Sequence, residues 1–391
     1  MTPAQGRRGF LRSACRHCLG LGGLVSAAAM AQPTDKLIPA RFSRPALDTD
    51  EGGLWALMDR EETRLRRSSF AIRDEALHKY VRDLVCRLGG EHCADVRVHL
   101  VRSPQFNATM APNGMMTVYS GLLLRVENEA QLAAVLGHEL GHYFERHLVE
   151  TLRDRKSRAA AATVLAMFGL VGGLASLGVL ASHFGFSRDQ EARADQVGMR
   201  LIQAAGYDGR QAALIWDNLL GELKITGGEE AGKRSPMFAT HPPVESRRDD
   251  LMKLAGDGGG RLGVAEFDHA VAPHRFEWLE EEIRRGQFEE SLVLFNRLLK
   301  RRPGDAQVLF ARGEVRRLRD KPEDLSQALQ DLQAATSEAE SPVLAWRSLG
   351  LAHRRRSDAA AAAEAFQKYL ALVPEAGDAS VIQSYLTEVK P

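Results

Sequence analysis

The chain has 391 residues, of which 44% are hydrophobic, 26% charged and 6% aromatic. This composition excludes wholesale disorder, collagen and small disulfide scaffolds, and the length is typical of two or three domains. The formal net charge of +1 lacks the basic excess of duplex-binding proteins, so no nucleic-acid partner is expected.

The first 31 residues predict a secretory signal peptide. They contain four arginines and no acidic residue, and an uncharged stretch over residues 19–31 ends in Ala29-Met30-Ala31, a small-x-small cleavage sequence. The sequence RRGFLR at residues 7–12 resembles the twin-arginine export motif. A short N-terminal membrane anchor is the alternative, although 13 uncharged residues are few for a span. Cleavage after Ala31 would leave 48 basic and 51 acidic groups in a periplasmic protein.

Export also determines how the cysteines are interpreted. Cys15 and Cys18 would leave with the signal, and the mature chain would keep Cys86 and Cys93. An even number of cysteines in an oxidising compartment predicts a disulfide between them, closing a short loop between a helix and a strand. Two free buried thiols are the alternative.

The segment before residue 128 predicts helices and a small antiparallel sheet. Residues 54–88 have apolar positions at three- and four-residue spacing, which is typical of a helix, and residues 96–101 alternate like a strand. Two further strands, 106–110 and 115–120, flank the turn sequence APNG at residues 111–114 and predict a hairpin.

A long helix is predicted to begin at Asn128, a favourable N-cap, and it carries the sequence HELGH. One helical turn separates His138 from His142, so both imidazoles lie on one face and can bind one Zn²⁺. Glu139 lies about 100° around the helix, where it can act as general base on a metal-bound water. A solvated His/Glu face is the alternative, but the apolar flanking sequence predicts a buried helix.

Catalytic zinc needs a third protein ligand, and Glu191 is the candidate. Glu191 and Asp195 are four residues apart and share a helix face. Asp195 would accept the free ring N–H of a ligating histidine and so fix its tautomer. From the spacing alone, a surface acidic pair bound to Arg188 or Arg193 is an open alternative.

Between these candidate ligands lies a stretch of 23 uncharged residues, 159–181. Its length alone predicts a transmembrane helix. However, His142 precedes it and Glu191 follows it, and a single crossing would separate two ligands of one zinc by about 30 Å of hydrocarbon. We therefore expect a lid or a buried hairpin, with contact to a membrane surface as the alternative.

Together these features resemble family 48 of the metallopeptidases, the gluzincins that include HtpX, Oma-type and BepA-like proteases. The resemblance covers roughly residues 50–255 and rests on Asn113-Gly114, EAQLA at 129–133, HELGH at 138–142, SRxxExxxD at 187–195 and THPP at 240–243. It implies one zinc per chain with His138, His142 and Glu191 as ligands, Glu139 as base and Asp195 as support.

His241 lies in this His-Pro-Pro loop, six residues before Arg247. An imidazole or a guanidinium can donate to the oxyanion of a tetrahedral intermediate. A loop histidine could instead be a fourth zinc ligand that keeps an enzyme latent. We predict His241 near the metal in either role, with a helix-capping histidine as the alternative. His147 and His183 are predicted to be structural, and His147 is expected to face away from His142.

Residues 256–273 are Gly-rich at first and then lack helical periodicity, which predicts a domain boundary. Beyond it the chain follows the offsets of about three tetratricopeptide repeats, closed by a helix over residues 379–389. The three units are Trp278, Leu279, Ser291, Phe295 and Pro303; Leu309, Gly313, Ala328, Leu332 and Ala335; and Trp346, Leu349, Gly350, Ala362, Phe366 and Pro374. A plain helical bundle is the alternative. Concave repeat surfaces usually bind peptides or partner proteins.

The sequence therefore predicts a signal peptide (1–31), an α+β gluzincin-like zinc peptidase domain (32–262) and an all-α tetratricopeptide-repeat solenoid (263–391). Strand 115–120 is expected to pair with extended substrate at the cleft edge. Resemblance to BepA-like proteins implies a periplasmic metalloendopeptidase that cleaves unfolded or misassembled envelope proteins, with a partner, such as the outer-membrane assembly machinery, on the repeats. A periplasmic chaperone or scaffold with a secondary or autoinhibited protease site is the alternative. A cytosolic protease would require the signal to be spurious.

Overall fold

The computed structural model describes residues 37–154, 186–225, 237, 241 and 246–388. The predicted signal peptide, the apolar stretch 159–181 and His183 lie outside the described residues. Among the helices that are described, none has both the length and the apolar character needed to cross a membrane.

The N-terminal part of the fold begins with two helices, α1 (Asp50–Arg67) and α2 (Glu75–Gly89), in the region that the periodicity over residues 54–88 predicts to be helical. Asp74 caps α2 by accepting a hydrogen bond from the backbone of Leu77, so α2 has its own start signal. Between the helices the chain turns and then pairs with the sheet: Ala71 forms a bridge with Val101, and the Ile72 amide donates to the carbonyl of Leu100. Because this strand is distant in the sequence, the local periodicity of residues 54–88 cannot predict the pairing.

Three strands form the sheet: β1 (Arg97–Val101), β2 (Ala108–Met110) and β3 (Met115–Tyr119). The predicted hairpin of β2 and β3 is confirmed. The prediction of an antiparallel sheet is wrong, because β3 lies between the other two and runs parallel to β1. The expectation that β3 is an edge strand is wrong for the same reason, and β2 is the edge beside it.

The Asn113-Gly114 turn fixes the hairpin against α1. Gly114 has φ of +89°, and a Cβ there would lie 2.3 Å from the carbonyl oxygen of Asp95, so only glycine fits. The Asn113 side chain accepts from the Met115 amide (3.1 Å) and donates to Asp59 of α1 (2.8 Å).

The next helices are α3 (Ser120–Arg125), α4 (Glu129–Phe144) and α5 (His147–Asp154). Asn128 caps α4 as predicted, and every residue of α4 is buried. After the gap in the described residues come α6 (Arg188–Ala204), α7 (Arg210–Lys224) and α8 (Arg247–Ala255).

The helix α4 packs on α6 at backbone contact, because small residues face each other. A Cβ on Gly141 would lie 2.7 Å from the carbonyl oxygen of Ala194, and a Cβ on Gly198 would lie 2.9 Å from the amide nitrogen of His138. This close approach lets a short side chain on α6 reach the histidines of α4.

The C-terminal part is helical throughout its described length. Its helices are α9 (Val264–Arg285), α10 (Phe288–Arg301), α11 (Ala306–Arg319), α12 (Asp324–Ser337), α13 (Val343–Arg355), α14 (Ala359–Leu372) and α15 (Ala379–Glu388). Residues 264–273, expected to lack helix, belong to α9, which continues through Pro273. Phe267 and Val271 of this segment are buried in the main core, so tertiary packing outweighs the weak local pattern.

The first C-terminal helices pack directly on the N-terminal part, α9 on α3 and α10 on α7. Their contact includes four charged groups, here called the interface cluster: the buried Arg125, Glu222 and Glu282 and the half-buried Arg297. Arg125 contacts Glu222 at 2.7 Å and Glu282 at 2.9 Å, and Arg297 contacts Glu222 at 3.0 Å.

The predicted cysteine pair has its sulfur atoms at bonding distance. Cys86 lies in the last turn of α2, and Cys93 lies in the short helical turn Gly90–Ala94 that precedes β1 rather than in the strand. The pair therefore links the end of α2 to the beginning of the sheet.

Candidate metal centre

Four side chains of metal-ligand type converge between α4 and α6 and are here called the metal cluster: His138, His142, Glu191 and His241. Each is buried and offers one ligand atom, and these four atoms lie within 4.8 Å of one another. The structure thus brings together the three predicted ligands and the loop histidine.

The ligand atoms are close enough to share one ion. The Nε2 atoms of His138 and His142 are 3.0 Å apart, and the Glu191 oxygens lie 3.5 Å and 3.4 Å from them, respectively. Nδ1 of His241 lies 2.8 Å from Oε1 of Glu191 and 3.3 Å from Nε2 of His138.

Glu139, the predicted base, lies beside this cluster and is 2% exposed. Its Oε1 is 3.4 Å from Nε2 of His241. Burial raises the pKa of Glu139 above its ordinary value, although neighbouring His241 and His138 act in the opposite direction. A carboxylate of raised pKa is suited to take up and return a proton near neutral pH.

Asp195 and Arg247 surround the imidazole of His138. Oδ1 of Asp195 lies 2.9 Å from Nδ1 of His138, and Arg247 donates to Asp195 at 2.8 Å. Nη1 of Arg247 lies 2.9 Å from Glu191, and its guanidinium covers the Trp216 ring at 4.2 Å. Burial opposes ionisation of Asp195, but Arg247 and His138 outweigh it and lower its pKa to about 2.

The alternative of a surface acidic pair disagrees with the structure. Glu191 is 4% exposed, so it is not a surface group. Arg193 pairs instead with Glu145 (3.2 Å), Glu150 (2.7 Å) and Asp189 (3.1 Å) on the outer side of the helix.

Two neighbours of the cluster were not identified from the sequence. His147 was expected to face elsewhere, and this is wrong: its Nδ1 lies 2.9 Å from Nδ1 of His142. Helical periodicity fails here because α4 ends at Phe144 and Arg146 adopts φ of +57° before α5 begins. Burial lowers the pKa of His147 to about 4, so its imidazole is neutral. Phe186 stacks on His142 with 3.9 Å between ring centroids.

The charges of the site fit a divalent cation. Glu139, Glu191 and Asp195 face a single guanidinium, that of Arg247, which leaves a formal charge of −2 with neutral imidazoles. Burial opposes protonation of His241, but Glu191 and Glu139 outweigh it and raise the pKa of His241, so in the metal-free site its cationic form offsets part of this excess. Burial opposes ionisation of Glu191, but the surrounding imidazoles lower its pKa. Burial also holds the pKa of His142 well below its ordinary value. Neutral imidazole nitrogens and a carboxylate oxygen are ligands that Zn²⁺ prefers.

Two cavities adjoin the site. One has His138, Asp195 and Arg247 at one side and apolar residues such as Val135 and Ile215 elsewhere. The other lies between His142 and the β2–β3 turn and is also lined by Met110, Pro112 and Phe186.

The fold and the site together define a class: a metallopeptidase-type domain built on an H-E-x-x-H helix. Residues 71–255 match the model of Peptidase family M48. This part of the chain is therefore similar to M48 peptidase domains, and the metallopeptidases of that family depend on zinc.

Curated relatives agree with this assignment. The chain is 34% identical over 180 residues to "Mitochondrial metalloendopeptidase OMA1" of Arabidopsis thaliana, covering 44% of this chain and 36% of the relative. It is 27% identical over 255 residues to "Beta-barrel assembly-enhancing protease" of Escherichia coli (strain K12), covering 59% of this chain and 51% of the relative. It is 28% identical over 208 residues to "Putative beta-barrel assembly-enhancing protease" of Vibrio cholerae, covering 49% of this chain and 42% of the relative. The matches span between about a third and a half of these relatives' lengths.

Proposed function

We propose that this chain is a zinc metalloendopeptidase. The observation that carries the proposal is the convergence of His138, His142 and Glu191 beside the buried carboxylate of Glu139. Three ligands and an adjacent base are the parts that peptide hydrolysis by an H-E-x-x-H site requires.

In this proposal His138, His142 and Glu191 hold one zinc ion, which when bound lowers the pKa of a coordinated water and polarises the scissile carbonyl. Glu139 takes the proton of the attacking water and returns it to the leaving amine. Asp195 accepts the ring N–H of His138 and so keeps Nε2 free for the metal. Arg247 is engaged by Asp195 and Glu191, so its primary role in the proposal is to position them.

His241 supports a latent state of the enzyme. Its imidazole is 2% exposed and reaches the same centre as the three ligands, so it can occupy the position that a catalytic water needs. In this account the protease becomes active when His241 moves away. In the other role, His241 donates a hydrogen bond to the oxyanion. His241→Ala should speed cleavage if His241 keeps the enzyme latent, and slow it if His241 stabilises the oxyanion.

The substrate in this proposal is an unfolded polypeptide that lies along β2. This strand has β3 as its only neighbour among the described strands, and its Met110 lines the cavity beside His142. Backbone pairing to a strand edge selects extended chains with little demand on side chains. Unfolded or misassembled proteins meet that requirement.

We further propose that the protein acts in the periplasm in envelope protein quality control, after removal of residues 1–31. Two kinds of support exist: the export pattern of the sequence, and relatives named for beta-barrel assembly enhancement.

The proposed domain division is a peptidase domain over 32–262 and a tetratricopeptide-repeat domain over 263–391 that binds a partner, such as outer-membrane assembly machinery. Close approaches within helix pairs support the repeat assignment. A Cβ on Gly313 would lie 2.8 Å from Leu332, and a Cβ on Gly350 would lie 2.4 Å from Phe366, so each glycine admits its partner helix.

The test is digestion of unfolded casein by zinc-loaded full-length protein. Wild type or His241→Ala should cleave, and Glu139→Gln should bind zinc but cleave about 10²–10⁴-fold more slowly. Faster cleavage by His241→Ala than by wild type supports latency, and slower cleavage supports the oxyanion role.

The second candidate function is that of a periplasmic chaperone or assembly scaffold whose protease site is secondary or autoinhibited. Convergence of His241 on the metal cluster is the observation that favours it. If neither wild type nor His241→Ala cleaves while zinc is bound, the enzyme proposal is contradicted and the scaffold is retained.

A further inference from the structure

His147 is a buried histidine with an unusual partner. It is 0% exposed, and its Nδ1 lies 2.9 Å from Nδ1 of His142. The left-handed conformation of Arg146 turns the chain so that the first residue of α5 faces the end of α4. The backbone carbonyl of His147 also accepts a hydrogen bond from Gln190 at 3.4 Å, which ties this turn to α6.

The contact constrains the protons of both rings. A neutral imidazole carries one N–H, so one of the two Nδ1 atoms must donate and the other accept. Nε2 of His142 faces the other ligand atoms, at 3.0 Å from His138 and 3.4 Å from Glu191. For Nε2 to bind a metal it must present its lone pair, and the proton of His142 must then lie on Nδ1 and be donated to His147.

We propose that His147 is a positioning residue for zinc, acting as the fixed acceptor that holds His142 in its Nδ1-protonated tautomer. The inference rests on the zinc site of the proposed function. It makes His147 the counterpart of Asp195, whose Oδ1 lies 2.9 Å from Nδ1 of His138. Metal-ligating histidines generally donate their second N–H to such an acceptor, and loss of the acceptor typically costs 10–100-fold in metal affinity.

A purely structural role explains His147 less well. In the tautomer described, its own proton lies on Nε2, a buried atom with no hydrogen-bond partner among the described residues. An unpaired buried donor is unfavourable, so an apolar side chain would pack at this position with less cost. The acceptor function at Nδ1 accounts for the presence of histidine here.

The two acceptors differ in charge, which matters at this site. Asp195 is a carboxylate, whereas His147 accepts without adding charge to a centre that already has an excess of carboxylates. The orientation of His142 is thus fixed without further repulsion toward Glu191.

The test compares variants of equal shape. In asparagine Oδ1 lies two bonds from Cβ, as Nδ1 does in histidine, so His147→Asn keeps a hydrogen-bond acceptor at the same position. His147→Leu has a similar shape but no acceptor. Zinc affinity of the full chain is measured by competition with a chromophoric chelator. His353→Leu, at a buried histidine in α13, is the matched control. The thermal midpoint of each metal-free variant reports folding.

We expect zinc to bind His147→Leu 10–100-fold more weakly than wild type, and His147→Asn and His353→Leu within about threefold of wild type. Wild-type affinity in His147→Leu overturns the proposal, as does equal weakening in His147→Asn and His147→Leu when both fold. If His147→Leu does not fold, His147→Met takes its place, with the same two outcomes. A folded wild type that binds no zinc contradicts the proposed function itself.

Discussion

The molecule contains two clusters of buried charge that differ in their balance. In the interface cluster, Arg125 and Arg297 face Glu222 and Glu282, and Glu222 is contacted by both guanidiniums. Around the metal cluster, three carboxylates face one guanidinium. Unpaired charge is costly in a protein interior, so a balanced cluster is complete by itself, whereas the other is completed by a cation. The same residue types therefore hold helices together in one region and prepare a zinc site in the other.

The largest expected effect is on stability at the interface cluster. Arg125→Met leaves Glu222 with Arg297 and Glu282 with Arg285 at 3.3 Å, so the free energy of unfolding should fall by about 3 kcal/mol, the lower end of the cost of breaking a buried ion pair. Urea unfolding of the metal-free chain measures it. Arg248→Met, at an exposed arginine, is the control and should change stability by less than about 0.5 kcal/mol. Equal stability of the two variants would show that the interface cluster is not a structural element.

At the metal cluster, removal of a carboxylate should act chiefly on metal binding. Glu191→Gln should weaken zinc binding more than about 100-fold, because it removes a ligand rather than a supporting residue. The thermal midpoint of the metal-free protein should also fall, because Arg247 and the surrounding imidazoles outweigh the cost of burial, stabilise the ionised Glu191 carboxylate and lower its pKa. Glu150→Gln, on the exposed outer side, is the control for both measurements. Zinc affinity of Glu191→Gln equal to that of wild type would contradict the role of Glu191 as a ligand.

The close packing of α4 on α6 gives a third prediction. Gly141→Ala places a methyl group 2.7 Å from a backbone oxygen of α6, so the helices must separate, at a cost of about 1–3 kcal/mol. Zinc affinity should fall too, because Glu191 is carried away from the histidines. Gly221→Ala in α7 is the control: its Cβ meets nothing within 4 Å, and helix propensity should make it stabilising by up to about 1 kcal/mol. Similar calorimetric results for both variants would contradict the packing argument.

An effect on stability of similar size at neutral pH, which vanishes in acid, concerns Glu62. Burial opposes its ionisation, but hydrogen bonds from Arg97 and His99 outweigh it and lower its pKa to about 2. A lowered pKa contributes stability that is present above the ordinary value of about 4.5 and lost as pH falls toward 2. Glu62→Gln should therefore be less stable than wild type by roughly 1–3 kcal/mol at pH 7, with a difference that shrinks between pH 5 and 2.

The control for this titration is Glu364→Gln, at an exposed carboxylate of α14. Its stability relative to wild type should stay within about 0.5 kcal/mol at every pH. A Glu62→Gln difference that is constant between pH 5 and 2 would contradict the assignment.

Local signals in the sequence were sufficient for the catalytic helix and the hairpin. The Asn128 cap, the one-turn spacing of His138 and His142, and the Asn113-Gly114 turn each act over a few residues. The association of Glu191 with the histidines could be predicted only from the family resemblance. The spacing of Glu191 and Asp195 alone was also compatible with an acidic pair on the surface. The structure supplies its physical cause, the contact of small residues between α4 and α6.

Features that depend on distant contacts were not predictable in this way. The position of β3 between β1 and β2 is set by pairing across the sheet, which strand periodicity does not encode. His147 was missed because one left-handed residue, Arg146, changes the direction of the chain. The N-terminal turns of α9 form because Phe267 and Val271 are buried in the core.

The central claim, that the charge excess of the metal cluster is completed by one divalent cation, is tested most directly by titrating metal-free full-length protein with Zn²⁺ in a calorimeter. The account predicts one zinc per chain in wild type and in Glu139→Gln, and greatly weakened binding in Glu191→Gln. A folded wild type that takes up no zinc, or that binds it equally well without the Glu191 carboxylate, would contradict the account.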